Sequence, residues 1–199
     1  MPSNDEPRPR RDAEATRRRL IAAALELYTT VGFRATTTPM LADRAGIAEG
    51  TIYRHFSGKE ALLNAAFREV QAWAAGIVRD AESDRLLPVR DRLLTVARRL
   101  LEEAARAPAA IRMLLHARED RYLDDRSRES ARGFREALQQ VMASGKSDGV
   151  VRAGPVELWA GVWLAIVAFA AERVGAGEWT PDHPQAALAI EAAWDAITS

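Results

Sequence analysis

The sequence predicts an all-α protein of about nine helices, with an N-terminal three-helix unit of helix-turn-helix type and a larger C-terminal helical domain. Three observations predict it. Apolar residues recur at three- and four-residue spacing almost throughout, and no alternating run of useful length suggests a strand. Gly and Pro fall between the periodic segments and punctuate them. Two segments near the N-terminus are only about eight residues long, too short to be stable alone, so neighbouring helices must hold them.

Residues 1–14 read as a flexible polar arm, rich in Pro, Arg and acidic side chains and without an apolar period. From Ala15, Leu20, Ala24, Leu27 and Val31 recur at helical spacing until Gly32 stops the helix. Thr36-Thr37-Thr38-Pro39 is a start signal, with a Thr oxygen as cap and Pro in the first turn. The short helix that follows ends at Gly46. A second spans about Ala48 to His55, Ser57-Gly58 breaks it, and Lys59 opens a longer helix to about Arg79. Pro88 starts a segment to about Ala107, and Pro108 another to about Ala117. The charged stretch Arg118 to Glu129 leads into a helix ending near Gly145. Pro155 to Arg173 is strongly apolar, and Pro184 to Ile197 closes the chain. The expected division is thus an arm (1–14), a reading head (15–58) and a regulatory domain (59–199).

Composition removes several classes of function. With 199 residues, 48% of them hydrophobic, the chain can bury a real core. It contains no cysteine, which excludes disulfides, thiolate catalysis and cysteine-ligated zinc. The three histidines, His55, His116 and His183, are scattered, and no paired Glu-x-x-His motif or Gly-rich phosphate loop occurs. The expectation is therefore no enzyme, no metal and no cofactor. The greasiest stretch, Leu158 to Ala171, reads as too short for a membrane span, and the N-terminus lacks the apolar core of a secretory signal. A cytoplasmic protein without a membrane partner is expected.

Two short helices joined by a tight turn containing Gly describe a helix-turn-helix, whose second helix can enter the major groove. Met40, Leu41, Ala45, Ile47, Ile52 and Phe56 would pack it, which leaves Glu49, Gly50, Thr51, Tyr53 and Arg54 outward or flanking. Spacing goes no further, because helix-turn-helix periods also occur in proteins that never touch DNA.

The residues themselves go further. Gly32-Phe33-Arg34-Ala35-Thr36-Thr37-Thr38, Leu41-Ala42, the run Ala45-Gly46-Ile47-Ala48-Glu49-Gly50-Thr51-Ile52-Tyr53-Arg54-His55-Phe56, and Lys59-Glu60-Ala61-Leu62 resemble the N-terminal signature of TetR-family transcriptional regulators. The likeness runs without a gap from about Arg18 to Leu63. It departs at Ala48, where many members have a capping Ser, and at Met40, where an acidic residue often completes a capping box. The resemblance implies a homodimer on a palindromic double-stranded operator, most simply a repressor released by a small-molecule effector. The alternatives are an activator, or a C-terminal domain that senses a protein partner or no ligand.

On this reading Tyr53 donates to phosphate, and Lys59 meets an anion at a helix N-terminus. Thr36, Thr37 and Thr38 offer hydroxyls or N–H groups to phosphate, although capping alone accounts for at least one. Thr51 and Arg54 suit base edges, and Gly50 lets the backbone approach. Glu49 suits the helix dipole better than a base, and His55 suits packing or phosphate. Arg8, Arg10 and Arg11 read best as a solvated tail.

The larger domain carries no comparable motif. Trp73, Met113, His116, Tyr122, Phe134, Met142 and Trp163 are candidate pocket residues for a mostly hydrophobic ligand, because Met and aromatic side chains suit adaptable apolar sites. Trp159, Leu164, Val167, Ala189, Ala193, Trp194 and Ile197, on the last two helices, are candidates for a four-helix dimer interface. The formal charge is zero, yet residues 1–60 hold ten basic and eight acidic side chains. Composition alone therefore predicts only weak, easily screened attraction to DNA.

Overall fold

The computed structural model describes residues 8–116 and 120–198, with the side chains of residues 12–115 and 121–198. Among these residues there are nine α-helices: α1 (Arg8–Leu27), α2 (Thr38–Ala45), α3 (Glu49–His55), α4 (Lys59–Ser83), α5 (Val89–Arg106), α6 (Pro108–His116), α7 (Asp125–Ser147), α8 (Val156–Gly175) and α9 (Pro184–Asp195). A π-turn over Tyr28–Gly32 extends α1, and a 3-10 turn spans Asp120–Tyr122. A lone bridge between Val151 and Thr198 is the one β-type pairing in the described chain.

The helices follow from local signals. Thr37 caps α2 by accepting from the Met40 amide at 3.4 Å, and Pro39 sits in the first turn. Gly46 ends α2 at φ 64°, a left-handed conformation that a Cβ disfavours. The amides of Gly46 and Ile47 then close back on the carbonyls of Asp43 and Ala42, both at 3.0 Å. Ala48 starts α3 with no side-chain cap, as its side chain requires.

Two expected boundaries move. Helix α1 begins at Arg8, not near Ala15, because Pro9 falls in a first turn where its missing N–H has no partner to lose. The rest of the expected arm, and the side chains of Arg8, Arg10 and Arg11, lie outside the described residues. Helix α7 begins at Asp125, inside the stretch that reads as a charged connection. Its first inward residues are Ser127 and Ala131, too weakly apolar to register as a period.

Helices α1, α2 and α3 form a small three-helix unit around Leu20, Ala24, Leu41, Ala45 and Ile52. Helix α4 packs against α1 with its first half and lies along α7 in the most extensive helix pair of the molecule. Helices α5, α6 and α8 enclose the remaining core, and α9 lies on α8. By length and composition α8 is apolar enough to cross a membrane, contrary to the expectation of too short a stretch. Its inner face, including Trp163, Val167 and Ala170, is buried against α5, α7 and α9.

Candidate nucleic-acid interface

Helix α3 is held through one side chain. Ile52 is buried against the three-helix unit, and Phe56 beyond the helix end is buried with it. The guanidinium of Arg17 stacks 4.8 Å over the Phe56 ring. With Ile52 inward, α3 turns Glu49, Gly50, Tyr53 and Arg54 to solvent, and Thr51 and His55 are half-buried at its flanks. Tyr53 is 58% exposed, high for an aromatic, and its hydroxyl and the Arg54 guanidinium have no partner among the described residues. No Cβ contact blocks approach at Gly50. Thr37 is exposed and retains its hydroxyl proton for donation, and Thr38 is half-buried at the start of α2. This is a protruding short helix with its first turn clear, the shape that fits a major groove.

Two of the expected phosphate ligands are otherwise occupied. Thr36 is fully buried, and its hydroxyl donates to the Gly32 carbonyl at 2.8 Å. Lys59 does open α4, but its ammonium donates to the carbonyls of Phe33 (2.9 Å), Thr36 (3.0 Å) and Arg34 (3.4 Å) and lies 4.6 Å from the Phe33 ring centre. It therefore ties the connection between α1 and α2 to the start of α4. The buried Tyr28 completes the tie by donating to the Lys59 carbonyl at 3.0 Å, and burial pushes its phenol pKa up. Sequence reasoning missed this cluster. Of the other cations, Arg44 is paired with Glu26 at 2.5 Å, and its pKa is raised by the hydrogen bond and charge of that carboxylate.

The tie continues into the larger domain. The Phe33 ring lies 4.4 Å from the Tyr122 ring, and Arg34 donates to the Tyr122 hydroxyl at 3.3 Å. The Asn64 amide on α4 donates to the Tyr122 carbonyl and accepts from the Asp124 amide, both at 2.8 Å. Asp124 caps α7 and pairs with Arg68 at 2.9 Å. Burial would raise the Asp124 pKa, but hydrogen bonds from Ser127 and then Arg68 hold its carboxyl below the usual carboxylate range.

Residues 20–66 match the model of the bacterial regulatory proteins of the tetR family. They cover all of α2 and α3 and the segments that hold them. The chain is also 27% identical to the HTH-type transcriptional regulator YvkB of Bacillus subtilis over 155 residues, which is 76% of this chain and 79% of that protein. Residues 20–66 thus carry a TetR-type N-terminal domain. Its fold matches a TetR-family protein from Vibrio parahaemolyticus at 28% identity and a TM-score of 0.67, covering 92% of this chain and 99% of that one. The regulator FadR of Bacillus subtilis, solved with stearoyl-CoA, shares the fold at 19% identity with a TM-score of 0.69, covering 92% and 97%. TetR-family proteins are DNA-binding transcription regulators and not enzymes.

Beyond this domain the candidate pocket residues scatter. Met113, Phe134, Met142 and Trp163 are buried core, and Trp73 is half-buried. Tyr122 belongs to the tie just described, and the His116 side chain lies outside the described residues. Two clefts, of about 420 Å³ between α4, α6 and α7 and about 310 Å³ between α6 and α8, are lined by none of the seven, whereas Phe134 lines a smaller one of about 100 Å³ between α7 and α8.

Three of the interface candidates need correction. Val167, Ala193 and Ile197 are fully enclosed within the protomer and cannot face a partner. Trp159, Leu164, Ala189 and Trp194 are half-buried, and Trp159 donates to the Ala153 carbonyl at 3.2 Å. The large apolar side chains that α8 and α9 expose are Leu158, Phe169 and Leu188. Because α8 is apolar on nearly every side, its period does not tell the inner face from the outer.

Proposed function

We propose that this protein is a dimeric, ligand-responsive repressor that binds a palindromic operator in the cytoplasm. The observation that carries the DNA reading is the presentation of α3, in which Ile52 is the anchor and Glu49, Gly50, Tyr53 and Arg54 stand clear of the protein. In this reading Tyr53 and Thr37 meet phosphate, and Thr51 and Arg54 read bases. Residues 15–58 form the reading head, and 59–199 form the regulatory domain, with α4 belonging to both by contact. The apolar residues exposed on α8 and α9 support dimerisation, since contiguous exposed apolar surface marks an interaction site. A small-molecule effector is supported by the clefts of the larger domain and by the shared fold of FadR, which was solved with stearoyl-CoA.

Footprinting on the DNA that flanks the protein's own gene tests the reading. A protected, two-fold symmetric site is expected. Tyr53→Phe should weaken all sequences alike, whereas changes at Thr51 or Arg54 should alter the preference between operators. No sequence-specific protection at any salt concentration would reject the DNA role.

A further inference from the structure

Besides packing on α4, the three-helix unit touches the larger domain through α6 and through Tyr122. The end of α1 rests on α6, where Arg112 donates to the Thr29 hydroxyl at 3.5 Å. Tyr122, in the 3-10 turn before α7, reaches the connection between α1 and α2. Its ring meets the buried Phe33 ring, and its hydroxyl accepts from Arg34. The backbone of the same turn is held elsewhere. Asn64 on α4 binds the Tyr122 carbonyl and the Asp124 amide, and Arg68 on α4 holds the Asp124 carboxylate. The turn therefore stays on α4 whatever side chain residue 122 carries, while the Tyr122 side chain holds the head.

A unit joined to its neighbour along one helix keeps freedom to rock about that helix, and a second attachment beside it removes that freedom. The connection at Phe33 to Thr36 runs directly into Thr37, the cap of α2. Lys59 fixes the carbonyls of this connection to α4, and Tyr122 fixes its side chains to the turn before α7. We propose that Tyr122 is a positioning residue for operator binding, which sets the tilt of the head and so the spacing between half-sites that the protein accepts. This rests on the dimeric operator reading above. One added base pair moves a half-site by about 3.4 Å and turns it by about 35°. Two heads of fixed tilt do not follow such a change, and two loosened heads do.

The test uses the full-length protein on four DNAs: the footprinted operator, the same site with one base pair added or removed between the half-sites, and a single half-site. The wild type should prefer the native spacing by at least about thirtyfold, the scale of a lost specific contact. Tyr122→Ala should cut that preference at least about fivefold and leave the single half-site within about twofold, because no base or phosphate contact is removed. Tyr122→Phe keeps the ring on Phe33 and should fall between. An unchanged spacing preference in Tyr122→Ala, or an equal loss on all four DNAs as from a merely destabilised head, would overturn the proposal. A second readout needs no DNA. The chain has no cysteine, so Asp43→Cys on α2 and Arg98→Cys on α5, both exposed, accept one pair of spin labels. In labelled protein diluted with unlabelled chain, the distance distribution should be narrow with Tyr122 and broader by several ångström with Ala. Equal widths reject the positioning role. Absence of any two-fold footprint rejects the operator reading, and the label widths then decide alone whether Tyr122 fixes the head.

Discussion

The ammonium of Lys59 sits among three carbonyls, and this changes what its removal should do. A cation that meets phosphate contributes nearly one unit to the slope of log K against log salt. A cation whose N–H groups are held inside the protein contributes stability instead. Lys59→Ala should therefore lower stability by about 1–3 kcal/mol, because it strips partners from the Phe33 and Thr36 carbonyls. It should weaken operator binding by loosening α2 and leave the salt slope as it was. Thermal melts and gel shifts across a salt series check this, and a slope reduced by one unit would restore the phosphate role. The signature residue was legible in the sequence, but its task was not. Its position at the start of α4 suits an anion, and only the return of the chain at Phe33 to Thr36 supplies competing acceptors.

At the scale of the element, Asp124 joins the cap of α7 to Arg68 on α4. Its folded pKa lies below its unfolded one. The stability it contributes is thus complete above the unfolded value near 4 and is lost as pH falls through the folded value. Asp124→Asn keeps a capping oxygen and removes the charge. Urea midpoints should be lower than wild type at pH about 7, with the difference closing as pH falls below about 4. A constant difference across that range would mean the charge plays no part. Helix α7 offers a second comparison. A Cβ at Gly145 would come within 2.6 Å of Val151 Cγ2 and 3.0 Å of Val89 Cγ1, whereas one at Gly133 meets nothing within 4 Å. Replacing Gly by Ala inside a helix contributes about 0.5–1 kcal/mol, and overpacking a core costs about 1–3 kcal/mol. Gly133→Ala should raise the melting temperature, and Gly145→Ala should lower it. Most helix ends were legible because Pro, Gly and Thr mark them locally. The start of α7 was not, since its cap and first inward turn depend on Arg68 and Asn64, distant in sequence.

At the scale of the whole molecule, the exposed side chains Leu158 (51%) and Leu188 (67%) leave apolar surface on the outside of α8 and α9. Arginine at both positions should leave helical content unchanged, because neither side chain supports the protomer core. Sedimentation should then report half the wild-type mass, and protection of a two-fold operator should fall away. A dimer that persists in the double variant would place the interface elsewhere.

Helical class, the punctuation between helices and the family signature are local or linear properties. They depend on periodicity, on caps and on an ungapped run of residue types, and a chain displays these before it folds. Side-chain roles are not of this kind. The Lys59 ammonium is held by three carbonyls of a distant connection, and Val167 faces the core and not a partner. Each outcome depends on which distant segment supplies the opposing surface. Only the packing of the helices decides that, because a helix with more than one apolar or charged face is compatible with several neighbours.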